Sequence, residues 1–166
     1  MKWLPIAAGA AVVVLAAGCG TTRTVTVTAP ATTAPGAPRD IAQFGYIKSL
    51  TRKGPRYELR FDPAFLLSGE TARRAALEDT GSADVPNDFY RLDEGHRLLT
   101  YLVPPGARVT VLSRGVDGTP ITVAQLAELV AGGNPLHHKL FEPLETGFWV
   151  VTRIDTVRSL DQQYFP

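Results

Sequence analysis

Few side chains in this sequence have types and spacing that bear on chemistry. His137 and His138 are adjacent, and Glu142 lies four positions beyond His138. On a helix, His138 and Glu142 would share a face suited to a metal ion. Neighbouring histidines point in different directions, however, and the His-Glu-x-x-His spacing of a helical zinc site is missing. Asp84, Asn87 and Asp88 gather hard oxygen ligands around Pro86. The Asp-x-Asp-x-Asp-Gly loop of a calcium site is absent, and such residues also cap turns by bonding their own backbone. Ser68 and Ser113 sit in no Gly-x-Ser-x-Gly elbow, and read as a helix cap and a strand end. Glu142, Glu145, Asp93 and Glu94 have no spacing that separates a catalytic pair from solvated surface acids. Gly132-Gly133 follows a helical pattern, the wrong polarity for a phosphate cradle. These residues assign no catalytic group, no metal site and no cofactor, and His96, His137 and His138 read as exposed loop histidines.

Cys19 is the only cysteine, which excludes an intrachain disulfide and a cysteine-based metal site. It follows one early positive charge at Lys2, an uncharged apolar run to Leu15, and the small residues Ala16, Ala17 and Gly18. That is the layout of a secretory signal peptide, and its apolar run is shorter than the ~20 helical residues that a membrane span needs. Leu15-Ala16-Ala17-Gly18-Cys19 resembles the bacterial lipobox. The resemblance implies a diacylglyceryl group on the Cys19 thiol, cleavage of residues 1–18, and a lipoprotein held on the outer face of the cytoplasmic membrane. Two acyl chains give the stable anchoring that one chain does not, at ~0.8 kcal/mol per buried CH₂.

Cleavage would remove Lys2 alone among the charged residues, leaving 16 basic against 16 acidic side chains. A neutral exported protein has no electrostatic reason to bind nucleic acid. Its expected partners are the membrane, through Cys19, and an envelope protein or cell-wall component. Residues 19–40 are rich in Thr, Ala and Pro and too poor in large apolar groups to offset the entropy of ordering. They read as a tether, the alternating Thr24–Thr28 stretch included, and a flexible coil of about 20 residues reaches roughly 25 Å.

The elements that must position any site lie in residues 41–166. Phe44–Thr51 and Arg56–Asp62 read as a hairpin, since Tyr57, Leu59 and Phe61 alternate with Glu58, Arg60 and Asp62. Asp62-Pro63 can open a turn of helix, and Ser68–Asp79 reads as a short helix stopped by Gly81. Asp88–Leu92 and Arg97–Val103 read as a second hairpin around Asp93-Glu94-Gly95-His96, and Arg108–Leu112 as a further strand. A helix follows Thr122, with Gln125 completing a capping box, Leu126, Leu129 and Val130 as its buried stripe, and Gly132-Gly133 as its stop. Phe148–Arg153 and Val157–Gln162 form a final hairpin. The expected fold is α+β, a small antiparallel sheet or partly open β-barrel with two or three short helices.

Phe61-Asp62-Pro63-Ala64 with Leu67 and Gly69, Val85-Pro86-Asn87-Asp88-Phe89-Tyr90, and Gln163-Tyr164-Phe165-Pro166 resemble a set of uncharacterised actinobacterial secreted and lipoprotein domains. The abundance of arginine over lysine and of alanine agrees with a GC-rich genome. The resemblance implies an envelope domain and supplies no catalytic residues.

On a two-faced strand Phe148 and Trp149 point to opposite sides, so one lies on an outer face. Trp149 is the candidate for a binding surface, joined by Asn87, Asp88 and Tyr90. The function expected is a non-enzymatic, lipid-anchored binding module of the envelope. The alternatives are an envelope hydrolase or metal-dependent enzyme using His137, His138, Glu142 or the 84–88 loop, and a small-molecule-sensing domain.

Overall fold

The computed structural model describes residues 38–166 apart from Glu94 and His96. The expectations for residues 1–37, Cys19 among them, and for Glu94 and His96 lie outside the described residues. Among the described residues nine strands and two α-helices occur in the order β1 (Ile41–Lys53), β2 (Arg56–Pro63), β3 (Phe65–Ser68), α1 (Gly69–Thr80), β4 (Phe89–Leu92), β5 (Leu99–Val103), β6 (Arg108–Val111), β7 (Thr119–Ile121), α2 (Val123–Val130), β8 (Phe148–Arg153) and β9 (Thr156–Gln162). The main sheet runs β5-β2-β1-β8-β9-β6-β7, and β5 also pairs with β9, so five strands close into a barrel. Partners followed from Ile41 to Thr152, to Val157 and its neighbour Thr156, then to Leu102 and Glu58, lead back to β1 at Thr51. That displacement along β1 is the stagger that barrel closure requires.

In chain order the barrel strands are β1, β2, β5, β8 and β9, with β5 and β9 parallel and the other pairs antiparallel. This is the connectivity of the OB-type Greek-key barrel. Helix α2 lies between the third and fourth barrel strands, and β3-α1-β4 is inserted between the second and third.

β1 serves two neighbours in succession. Ile41–Gly45 pair with β8, Gly45–Lys53 pair with β2, and the register shifts between Ile47 and Ser49. The bend brings β2 close over Gly45. A Cβ there would collide with the carbonyl oxygen of Asp62 and come within 2.9 Å of Pro63 Cα. Inside, Leu59, Phe61, Val103, Phe148, Val150, Val157 and Leu160 form the core, joined by Val123 and Leu126 of α2. The capping box is present: Thr122 Oγ1 accepts from the Gln125 N–H, and Gln125 Oε1 from the Thr122 N–H.

Between α2 and β8 a long loop is held by one buried amide. Gln162 Oε1 accepts from the Leu112 N–H at 2.8 Å, and its Nε2 donates to the Pro143 carbonyl at 2.8 Å and Thr146 Oγ1 at 3.1 Å.

The expected hairpin of 88–92 with 97–103 does not form. β4 pairs with β3, and β5 pairs with β2 and β9. The 93–98 loop therefore joins two different sheets. Nor does Asp62-Pro63 open a helix. Both residues end β2, and the chain runs on through Ala64 into β3. α1 buries only Ala72 and Ala76, small residues that let it lie close against β3 and β4.

Gly45→Ala is expected to cost about 1–3 kcal/mol in urea unfolding, the usual penalty of forcing atoms into a filled space. Gly106→Ala, with nothing within 4 Å of the added Cβ, is the control. It is expected to change stability by less than about 0.5 kcal/mol.

Candidate functional site

Beside the first residues of β1 lies a cleft of about 560 Å³. It is lined by Ala42 to Phe44 of β1, Trp149 of β8, Pro63 to Leu66 at the β2–β3 junction, and Arg97 and Leu99 at the approach to β5. The period-2 alternation of β8 explains the placing of Trp149. Phe148 is fully buried in the barrel, whereas Trp149 is 37% exposed on the outside. Its indole N–H donates to Gln163 Oε1 at 2.8 Å, and the Gln163 N–H bonds the Gly147 carbonyl at 2.9 Å. The ring is thus oriented by the C-terminal segment with its polar atom already satisfied.

Phe44 is the register partner of Trp149 and shares its outer face. It is nevertheless buried, because a second aromatic layer packs there. Phe44 lies 5.6 Å from Trp149 and 6.4 Å edge-on from Phe165, which in turn is 6.3 Å from Phe89. The Arg91 guanidinium sits 5.2 Å from the Phe165 ring, a cation–π arrangement.

Polar groups near the cleft are mostly engaged. Tyr101 Oη donates to Gln43 Oε1 at 2.6 Å, and burial raises the Tyr101 pKa. The Ala64 N–H bonds the Phe44 carbonyl at 2.9 Å. Arg97 is exposed and forms no ion pair with any described residue. Just before β1, Asp40 takes two hydrogen bonds from Arg153, at 2.7 and 3.2 Å. This holds the Asp40 carboxyl below its usual range and raises Arg153. The residues just before β1 are thereby fixed to the end of β8.

The other residues singled out in the sequence do not join Trp149 at the cleft. Asn87 is in the left-handed region at φ 55°, and its Nδ2 donates to the Pro166 carbonyl. Asp88 pairs with Arg73 at 2.8 Å. Tyr90 Oη donates to Asp79 Oδ2, which raises the tyrosine pKa. These three bind the inserted β3-α1-β4 unit to itself and to the C-terminal segment. His138 is half-buried with Nδ1 2.7 Å from the Leu136 carbonyl oxygen, and His137 is exposed. Among the described residues no three His, Cys, Asp or Glu side chains gather as a metal-holding group.

Arg97 and Leu66 carry no local sequence signal, because only tertiary pairing brings them beside β1. Phe44 could have been found. It alternates with Tyr46 on the face opposite Gly45, and so predicts an apolar outer face on β1.

No protein family, curated protein or solved structure matches this chain. Among the described residues, no helix is long and apolar enough to cross a membrane. The class defined is therefore one of architecture: a closed five-strand barrel of OB-type connectivity with an inserted β-α-β unit and a mostly apolar cleft beside its first strand. Such a fold by itself fixes no ligand.

Removing the Asn87–Pro166 hydrogen bond tests the clasp. Asn87→Gly keeps the backbone conformation and is expected to cost about 1 kcal/mol, and Phe165→Ala about 2 kcal/mol through lost aromatic packing. Both are read from chemical denaturation. Unchanged midpoints would return Asn87 to the candidates for ligand contact.

Proposed function

We propose that this protein is a lipid-anchored lipoprotein on the outer face of the cytoplasmic membrane, and that its folded domain is a non-enzymatic binding module of the cell envelope. The diacylglyceryl on Cys19 is the anchor and residues 20–40 are the tether. The observation that carries the binding reading is the cleft beside Trp149. Its volume falls within the ~300–1,000 Å³ of small-ligand sites, and apolar side chains dominate its lining. Exposed apolar surface of this kind costs free energy while uncovered and is regained when an occupant excludes water.

The envelope setting is supported by the lipobox resemblance and by the likeness of the 61–69, 85–90 and 163–166 segments to actinobacterial secreted domains. The same segments meet in space. Phe89 packs on Phe165, Asn87 holds Pro166, and Ala64 bonds the strand that carries Phe44. Their joint task is to build and brace the cleft wall.

Photocrosslinking in intact cells tests this reading. A benzophenone amino acid at position 149 is expected to capture an envelope component. The same group at Val116, exposed on the β6–β7 turn and outside the cleft, is expected not to capture it. With Cys19→Ala the protein should leave the membrane fraction and the 149 adduct should weaken. Identical adducts from both positions, or a membrane fraction indifferent to Cys19→Ala, would contradict the proposal.

A further inference from the structure

We infer that the occupant of the Trp149 cleft is a singly headed anionic amphiphile, a long alkyl chain ending in a carboxylate or phosphate, with Arg97 receiving the head. This deepens the binding reading above and rests on it. Polar satisfaction separates the candidate occupants. A glycan brings a hydroxyl at nearly every carbon, and a peptide brings an N–H and a carbonyl at every residue. Each such group would leave water on entering the cleft and would need a partner there.

Few side-chain partners are on offer. Trp149 Nε1 is held by Gln163, Gln43 Oε1 takes the Tyr101 hydroxyl and leaves its Nε2 as a donor, and the Phe44 carbonyl accepts from the Ala64 N–H. An alkyl chain has no polar groups to strand. It matches a surface made of Phe44, Trp149, Leu66 and Leu99. The lining holds one cation, Arg97, exposed and without an ion-pair partner among the described residues. The planar guanidinium grips a carboxylate or phosphate through two parallel hydrogen bonds. A mostly apolar cleft whose one lining cation is a guanidinium is complementary to an alkyl chain that carries a single anionic group.

The test exploits the tryptophan count. The chain has two tryptophans, Trp3 and Trp149. The proposed cleavage removes Trp3 with residues 1–18, so in the chain from Cys19 onward fluorescence reports Trp149 alone. The probes are tetradecanoate, tetradecyl phosphate, neutral tetradecanol, and inorganic phosphate, with the chain-bearing ones kept below micelle-forming concentrations. Both anionic amphiphiles are expected to give a saturable blue shift. Arg97→Ala is expected to weaken them about tenfold while leaving tetradecanol unchanged, and Arg97→Lys to restore part of the loss. Leu66→Gln is expected to weaken all three chain-bearing probes.

Equal affinity for tetradecanol, or indifference to Arg97→Ala, overturns the anionic head. Saturation by inorganic phosphate alone overturns the chain. Silence of Trp149 towards every chain-bearing probe overturns the inference outright, and the photoadduct at position 149 then separates two cases. If the adduct still forms, the cleft binds something of other chemistry; if it does not, the binding reading falls as well.

Discussion

The structure depends on one strand serving two neighbours. β1 gives its first residues to β8 and the rest to β2, and the change is made at Gly45, where the β2 backbone passes too close for any Cβ. The same close approach sets the end of β2 against β1 beside Phe44, and Pro63 and Ala64, which follow Asp62, line the cleft with Phe44 and Trp149.

A second constraint comes from the end of the chain. β9 closes the barrel against β5 and carries Gln162, whose buried amide holds the long loop before β8. The next residue, Gln163, turns outward to fix the Trp149 indole, and Phe165 then enters the aromatic layer between Phe44 and Phe89. Buried core, loop and cleft wall are therefore tied within four consecutive residues. Loss of any of these ties should disturb the others, because each relies on the register of β9.

What the sequence made legible was what local chemistry decides. The capping box of Thr122 and Gln125, the hairpin of β1 and β2 and the hairpin of β8 and β9 are set by neighbours in the chain, and all three occur as read. The inward Phe148 and outward Trp149 follow from period-2 alternation alone. The pairing of β4 and β5 was not legible. Their closeness in sequence suggests a hairpin, but burial of the β3-α1-β4 unit and closure of the barrel take each strand to a distant partner. Asn87, Asp88 and Tyr90 read as parts of a binding surface in the sequence; in the fold they bond Pro166, Arg73 and Asp79, tertiary contacts that no local pattern encodes. Arg97 gave no signal, because an arginine after a loop looks the same whether it ends in water or at the mouth of a cleft.

The cleft between Trp149 and the β2–β3 junction, not the closed core of the barrel, is the proposed seat of an alkyl chain with an anionic head. The most direct test is a nuclear Overhauser measurement on the full chain bound to ¹³C-labelled tetradecanoate. The account predicts contacts from the chain methylenes to the Leu66 and Leu99 methyls and the Trp149 ring, with the carboxylate carbon nearest Arg97. Contacts to the barrel core at Leu59 or Val150, or to surface remote from β1, would contradict it.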